Sequence, residues 1–211
     1  MPKALIFWGG WPGHEPEQVS AVFAEFLKKA GFEVEASNTL DCLLDERKLM
    51  SLDLIVPNWT AGDIKSEQLK PLLKAVGEGG VGIAGVHGGM GDSFRTETEY
   101  HLMVGGQWVA HPGGIVDYRV HMVDHADEVT AGLNHFNIKS EQYYMHVDPS
   151  NHVLATTTFE HNGTTMPVAW KRTYGKGRVF YSSLGHVAKD LSVPEVYTII
   201  TRGMLWAACS D

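Results

Sequence analysis

The sequence predicts an α/β fold with a mainly parallel central sheet, on three observations. Apolar, strand-like runs alternate with segments of helical period through the first hundred residues. The connections between them are short. The second half is strand-rich and adds antiparallel pairs to the same sheet.

Taken in order, Lys3 to Trp8 is an apolar run of buried-strand type, and a glycine-rich turn, GGWPGHEP, leads to Pro16 at a helix start. Val19, Val22, Phe23, Phe26 and Leu27 recur at helical spacing, and Gly31 supplies a stop. Glu33 to Ser37 and Leu52 to Val56 are the next two strands, the second ending at Pro57-Asn58-Trp59. Ser66 can cap a helix with Leu69, Leu72, Leu73 and Val76 on one face. Val81 to Val86 is the fourth strand, followed by His87 and a flexible loop. Thr96-Glu-Thr-Glu99 is a capping-box pattern opening a helix through Tyr100, Leu102 and Met103.

Alternation then marks Ile115 to Asp124, Val153 to Phe159 and Val168 to Trp170 as strands. Tyr174-Gly-Lys-Gly-Arg178 turns into a strand over Val179 to Ser182, and a last helix runs from Pro194 to about Cys209. With no repeat, low-complexity tract or linker, residues 1–211 read as one domain.

Composition narrows the function. The chain has 44% hydrophobic and 20% charged residues, ordinary for a globular domain, and 17 Lys+Arg against 25 Asp+Glu give a net charge of −8. No basic block appears, which argues against nucleic acid or an anionic membrane as partner. There is no signal-like N-terminus and no apolar stretch of spanning length, so a cytoplasmic location is expected. Cys42 and Cys209 are too few and too far apart for a disulfide framework.

Eleven histidines stand out, and several fall at element ends. His14 follows the first strand, His87 the fourth, His111 lies in GGQWVAHP, and His186 closes YSSLGH. Ligands of open parallel sheets bind beyond the strand carboxyl ends, where such side chains can meet. Any one of them alone also serves to cap a helix or bind a loop carbonyl. Two Gly-x-Gly-x-x-Gly matches, Gly77-Gly79-Gly82 and Gly80-Gly82-Gly85, lie before or within a strand instead of after it, so no nicotinamide or flavin is expected. Trp8, Trp11, Trp59 and Trp108 flank strands or glycines. Trp11 and Trp59 are candidate platforms for a sugar face.

GVHGG, GGQWVAHP, EQYYMH, MPVAWKRTYGKGRVFYSSLGH and ITRGMLWAA occur in an order that resembles the ThuA-like (trehalose-utilisation) family over nearly the whole chain. The resemblance implies a three-layer α/β/α sandwich of flavodoxin-like, class I glutamine amidotransferase-like type. In those amidotransferases the elbow Gly-X-Cys-X-Gly carries the nucleophile. Here Gly85-Val86-His87-Gly88-Gly89 has histidine at the tip, which removes the thiolate that glutaminase chemistry needs. An exposed elbow with backbone N–H groups at Gly88 and Gly89 keeps an anion-binding geometry.

The resemblance further implies carbohydrate catabolism on a keto-disaccharide or similar sugar, by isomerase, lyase or hydrolase chemistry. His87, Glu141, His186 and His111 are the catalytic candidates. His14, Trp11, Gly88, Gly89, Tyr143 and Trp59 are the substrate-contact candidates. His146 can lie on either face. No cofactor is expected. The alternatives are a zinc hydrolase with His14, His111 and His186 as ligands, and a non-catalytic sugar-binding subunit beside a separate dehydrogenase. Self-association remains open.

Overall fold

The computed structural model describes residues 1–208, so Cys209, with the expected end of the last helix, lies outside the described residues. Four parallel strands come first: β1 (Lys3–Gly10), β2 (Glu33–Ser37), β3 (Leu54–Thr60) and β4 (Gly82–Val86). Between them run α1 (Pro16–Lys29), the short α2 (Glu46–Leu49) and α3 (Ser66–Gly77). After β4 come α4 (His87–Gly91), α5 (Thr98–Val104), β5 (Gly106–Ala110), β6 (Ile115–Met122), β7 (Phe136–Glu141) and β8 (Tyr144–Val147). The chain closes with β9 (His152–Thr158), β10 (Thr165–Tyr174), β11 (Gly177–Ser182) and α6 (Pro194–Ala208).

The main sheet has nine strands in the order β2-β1-β3-β4-β11-β10-β9-β6-β7. Neighbours from β2 to β11 are parallel, and those from β11 to β7 are antiparallel. The expected sheet, mainly parallel with antiparallel additions, is therefore the one found. Its faces follow the period of two. Ile6, Leu54, Val56, Ala84 and Val86 pack with α1 and α6, whereas Leu5, Phe7, Ile55 and Ile83 pack with α3 and α5. Each face buries an apolar layer, which gives the three-layer sandwich. No helix of the described residues is long and apolar enough to cross a membrane.

Four expectations are corrected. β3 runs through Pro57 to Thr60, because its pairing with β4 stops at Ile55↔Ile83 and a residue lacking N–H is tolerated beyond it. Ser66 is the first helical residue of α3, and the Gln68 side chain instead accepts from Lys65 N at 3.0 Å. The 96–99 capping box does not form; Glu97 caps α5 without a side-chain bond. The loop after His87 is the buried helix α4. Outside the main sheet, β5 and β8 form a two-stranded antiparallel ribbon, tied down where Trp170 Nε1 donates to Val104 O at 3.0 Å.

Candidate active site

The parallel strands β1, β3, β4 and β11 end at one edge, and the loops leaving them carry His14, Thr60–Ala61, His87 and His186. Glu141 closes β7, and the β5–β8 ribbon brings His111 and Tyr143 over the same edge. Among the described residues, the four non-glycine residues with left-handed φ are Glu15, Ala61, His87 and Phe94, all in or beside these loops. Such backbone costs about 1 kcal/mol or more per residue, so neighbouring contacts must hold it in place.

His87 has φ +46° at the strand-to-helix junction, the sharp elbow expected from GVHGG. Its tip is not exposed, however. The side chain is 2% accessible, because Tyr143 stacks on the imidazole with ring centroids 3.9 Å apart. Nδ1 lies 2.7 Å from Ser183 O, and a carbonyl only accepts, so Nδ1 carries a proton. That aims Nε2 at Glu141 Oε2, 3.1 Å away. His14 repeats the arrangement, with Nδ1 2.9 Å from Thr60 Oγ1 and Nε2 3.9 Å from Glu141 Oε2. His186 Nε2 lies 3.6 Å from Glu141 Oε1.

Ligand atoms of His14, His87, Glu141 and His186 therefore all lie within 4.8 Å of one another. His111 Nδ1 is 3.3 Å from Glu141 Oε2 but stands outside that group of four. Of the alternative zinc set read from the sequence, His14 and His186 belong to this group of four and His111 does not.

Electrostatics fits a shared cation. Burial opposes ionisation of Glu141, yet the His87 hydrogen bond and the surrounding imidazoles outweigh it and hold the carboxyl at about 2. Burial, followed by the neighbouring imidazoles His87 and His186, pushes His14 down to about 3. Burial and His87 lower His186 as well. At neutral pH Glu141 is a carboxylate and His14 and His186 are neutral imidazoles, protonation states a metal ligand requires. Burial raises the Tyr143 hydroxyl well above its usual range, so it acts only as a neutral donor.

His14 and Glu141 of the cluster, with His111, line a cleft of about 410 Å³ together with Trp11, Thr60, Ala61, Asp92, Arg95, Trp108 and Tyr143, and His87 and His186 lie behind that lining. Trp11 is 58% exposed at its mouth. Trp59 does not line it and instead packs over Gly9, where an added Cβ would fall 2.6 Å from the indole. Gly88 and Gly89 serve close packing, since a Cβ there would meet the His14 ring at 2.6 Å and Asn58 Oδ1 at 2.3 Å. His146 lies on the exposed face of β8 and lines a separate depression with His101 and Asp148. Asp92, Arg95 and Thr60 were missed by sequence reasoning. The one local signal is an Asp-x-x-Arg spacing just after the elbow.

The family description "Trehalose utilisation", ThuA, matches residues 3–207. The chain belongs to the ThuA family. ThuA carries this chain into carbohydrate metabolism. Solved structures agree in fold. A ThuA-like protein from Parabacteroides merdae ATCC 43184 is 20% identical, covering 99% of this chain and 90% of its own, with a TM-score of 0.78. Another from Bacteroides uniformis ATCC 8492 is 18% identical over 98% and 91%, with a TM-score of 0.80. A protein from Salmonella typhimurium LT2, described as cytoplasmic, is 14% identical over 97% and 99%, with a TM-score of 0.69. No curated protein matches the sequence.

Proposed function

We propose that this ThuA chain is an enzyme acting on a sugar that bears a ring carbonyl, and that His14, His87, Glu141 and His186 hold a divalent metal for it. One observation carries the reading. Three imidazoles and a carboxylate put ligand atoms within 4.8 Å of one another, with His87 Nδ1 committed to a carbonyl so that Nε2 faces the shared point. Donors around a tetrahedral zinc stand about 3.3 Å apart, given metal–ligand distances near 2.0–2.1 Å. The 3.1–3.9 Å spacings to Glu141 bracket that value. Nitrogen and carboxylate donors suit zinc, manganese or iron better than calcium.

When bound, the metal polarises a substrate carbonyl or neighbouring hydroxyl oxygen. The remaining work falls to the chain. His111, half-exposed in the cleft wall, takes the proton from the carbon beside the carbonyl. The C–H electron pair moves into the carbonyl, and the Tyr143 hydroxyl donates a hydrogen bond to the enolate oxygen. Return of the proton to another position isomerises the sugar; loss of a β-substituent eliminates it. Trp11 offers an apolar face to the ring. Proton transfer of this kind needs no redox cofactor; the ring carbonyl is the product of a separate oxidation step.

A second reading rests on the 3.1 Å contact between His87 Nε2 and Glu141, which also fits a metal-free imidazolium–carboxylate pair acting as acid and base. The two readings separate in an assay on trehalose oxidised at one ring hydroxyl. The metal reading expects turnover that a chelator abolishes and zinc or manganese restores. It also expects His111→Ala to lower the rate about 10²–10⁴-fold with metal retained. Full activity after chelation would establish the acid–base pair instead. No turnover of the ketone by metal-loaded protein would overturn the substrate assignment.

A further inference from the structure

The cleft wall carries a second polar group, Asp92 with Arg95, that this chemistry leaves unused. Arg95 Nε donates to Asp92 Oδ1 at 2.5 Å and Nη2 to Oδ2 at 2.8 Å, a bidentate pair. The guanidinium also lies 4.7 Å over the centre of the Trp108 ring. The backbone beneath is fixed from three further directions. Ala61 N donates to Asp92 O at 2.9 Å, Asp92 N to Gly88 O at 3.2 Å, and Gln107 Nε2 to Arg95 O at 3.1 Å.

The Arg95 side chain is 51% exposed, so its free N–H donors are open to solvent or a ligand. The pairing holds this fork still at the cleft wall. Of the five guanidinium N–H donors, two serve Asp92 and three remain for a ligand. The charge here is already cancelled, because the Asp92 side chain is only 7% exposed and pairs with the cation directly. A phosphate or carboxylate entering here would meet a guanidinium whose charge Asp92 already balances. Hydroxyl oxygens accept its hydrogen bonds without bringing charge.

We propose that Arg95, fixed by Asp92 and Trp108, is a specificity-determining residue that binds hydroxyl oxygens of an uncharged sugar, with Asp92 excluding phosphorylated sugars. The inference rests on the carbohydrate reading of the cleft but is independent of the metal. It gives Asp92 two roles, orienting the guanidinium and tuning its charge. A purely structural ion pair would have neither.

The test is calorimetric titration of the purified full-length protein with trehalose, its monoketone and trehalose 6-phosphate. Thermal midpoint and metal content are measured on the same samples. The wild type is expected to bind an uncharged sugar at least about tenfold more tightly than the phosphate. Arg95→Ala and Arg95→Lys should weaken uncharged-sugar binding about tenfold or more, since Lys keeps the charge but not the fork. Asp92→Asn leaves the cation uncancelled, so it should shift preference toward the phosphate, a change that loss of a structural pair would not produce. Unchanged uncharged-sugar affinity in both Arg95 variants would overturn the assignment of Arg95 alone. A wild type that prefers the phosphate would overturn the charge argument. A wild type that binds none of the three at millimolar concentration would overturn this inference and the carbohydrate reading together.

Discussion

Gly88 has no side chain, and His14 uses the space. A Cβ there would fall 2.6 Å from the His14 ring, closer than real Cβ contacts come, and a tight 3.1 Å from Thr60 Cγ2. The imidazole is the part free to yield, so Gly88→Ala should fold but swing His14 away from Glu141. Displacing a ligand's support typically costs 10–100-fold in metal affinity. Competition with a chromogenic chelator should show a loss of about that size with a thermal midpoint near wild type; unchanged affinity would mean that His14 is not a ligand. At this scale much of the site was legible. His14, His87, His111, Glu141 and His186 sit at element ends in the sequence and do meet at one edge. Two features were not legible. Burial of His87 depends on Tyr143, which arrives 56 positions later in the chain. Arg95 reads as a solvated loop residue until the ribbon places Trp108 beneath it.

Elements with an unbroken period were readable, and the β5–β8 ribbon was not. Gly106–Ala110 is bounded by glycines and proline, and its partner β8 is only four residues long, so neither shows enough alternation to declare a strand. β7 does alternate, with Phe136, Ile138 and Ser140 buried, and that signal was present but overlooked. The ribbon matters because it carries His111, Tyr143 and Trp108. Asp148 anchors its end. Asp148 accepts from Ser150 N and Oγ at 3.0 and 2.8 Å and from Arg172 Nη1 at 3.0 Å. These bonds, the Ser150 ones first, lower its carboxyl from 3.8 to about 2. A carboxyl lowered by folding contributes stability above about pH 3.8 and loses it as pH falls toward 2. Asp148→Asn should therefore lower the denaturation midpoint at pH 7, with the gap from wild type shrinking between about pH 4 and pH 2. A gap independent of pH would show that the ionised carboxylate is not what anchors the ribbon.

At the scale of the whole molecule, the flavodoxin-like order β2-β1-β3-β4 explains why histidines so distant in sequence converge. Successive parallel strands deliver their loops to one edge, and the antiparallel strands extend the same sheet until β7 brings Glu141 to it. The amidotransferase-like elbow persists with histidine at its tip, and the fold that would orient a nucleophile instead aims Nε2 at a carboxylate. The most direct measurement of the central claim is the metal content, by inductively coupled plasma mass spectrometry, of protein reconstituted with zinc or manganese and then dialysed. The account predicts about one equivalent per chain in the wild type. It predicts a marked loss in Glu141→Gln and in His186→Asn, each with its circular dichroism spectrum preserved. A folded wild type that retains no metal after reconstitution, or variants that retain a full equivalent, would contradict it.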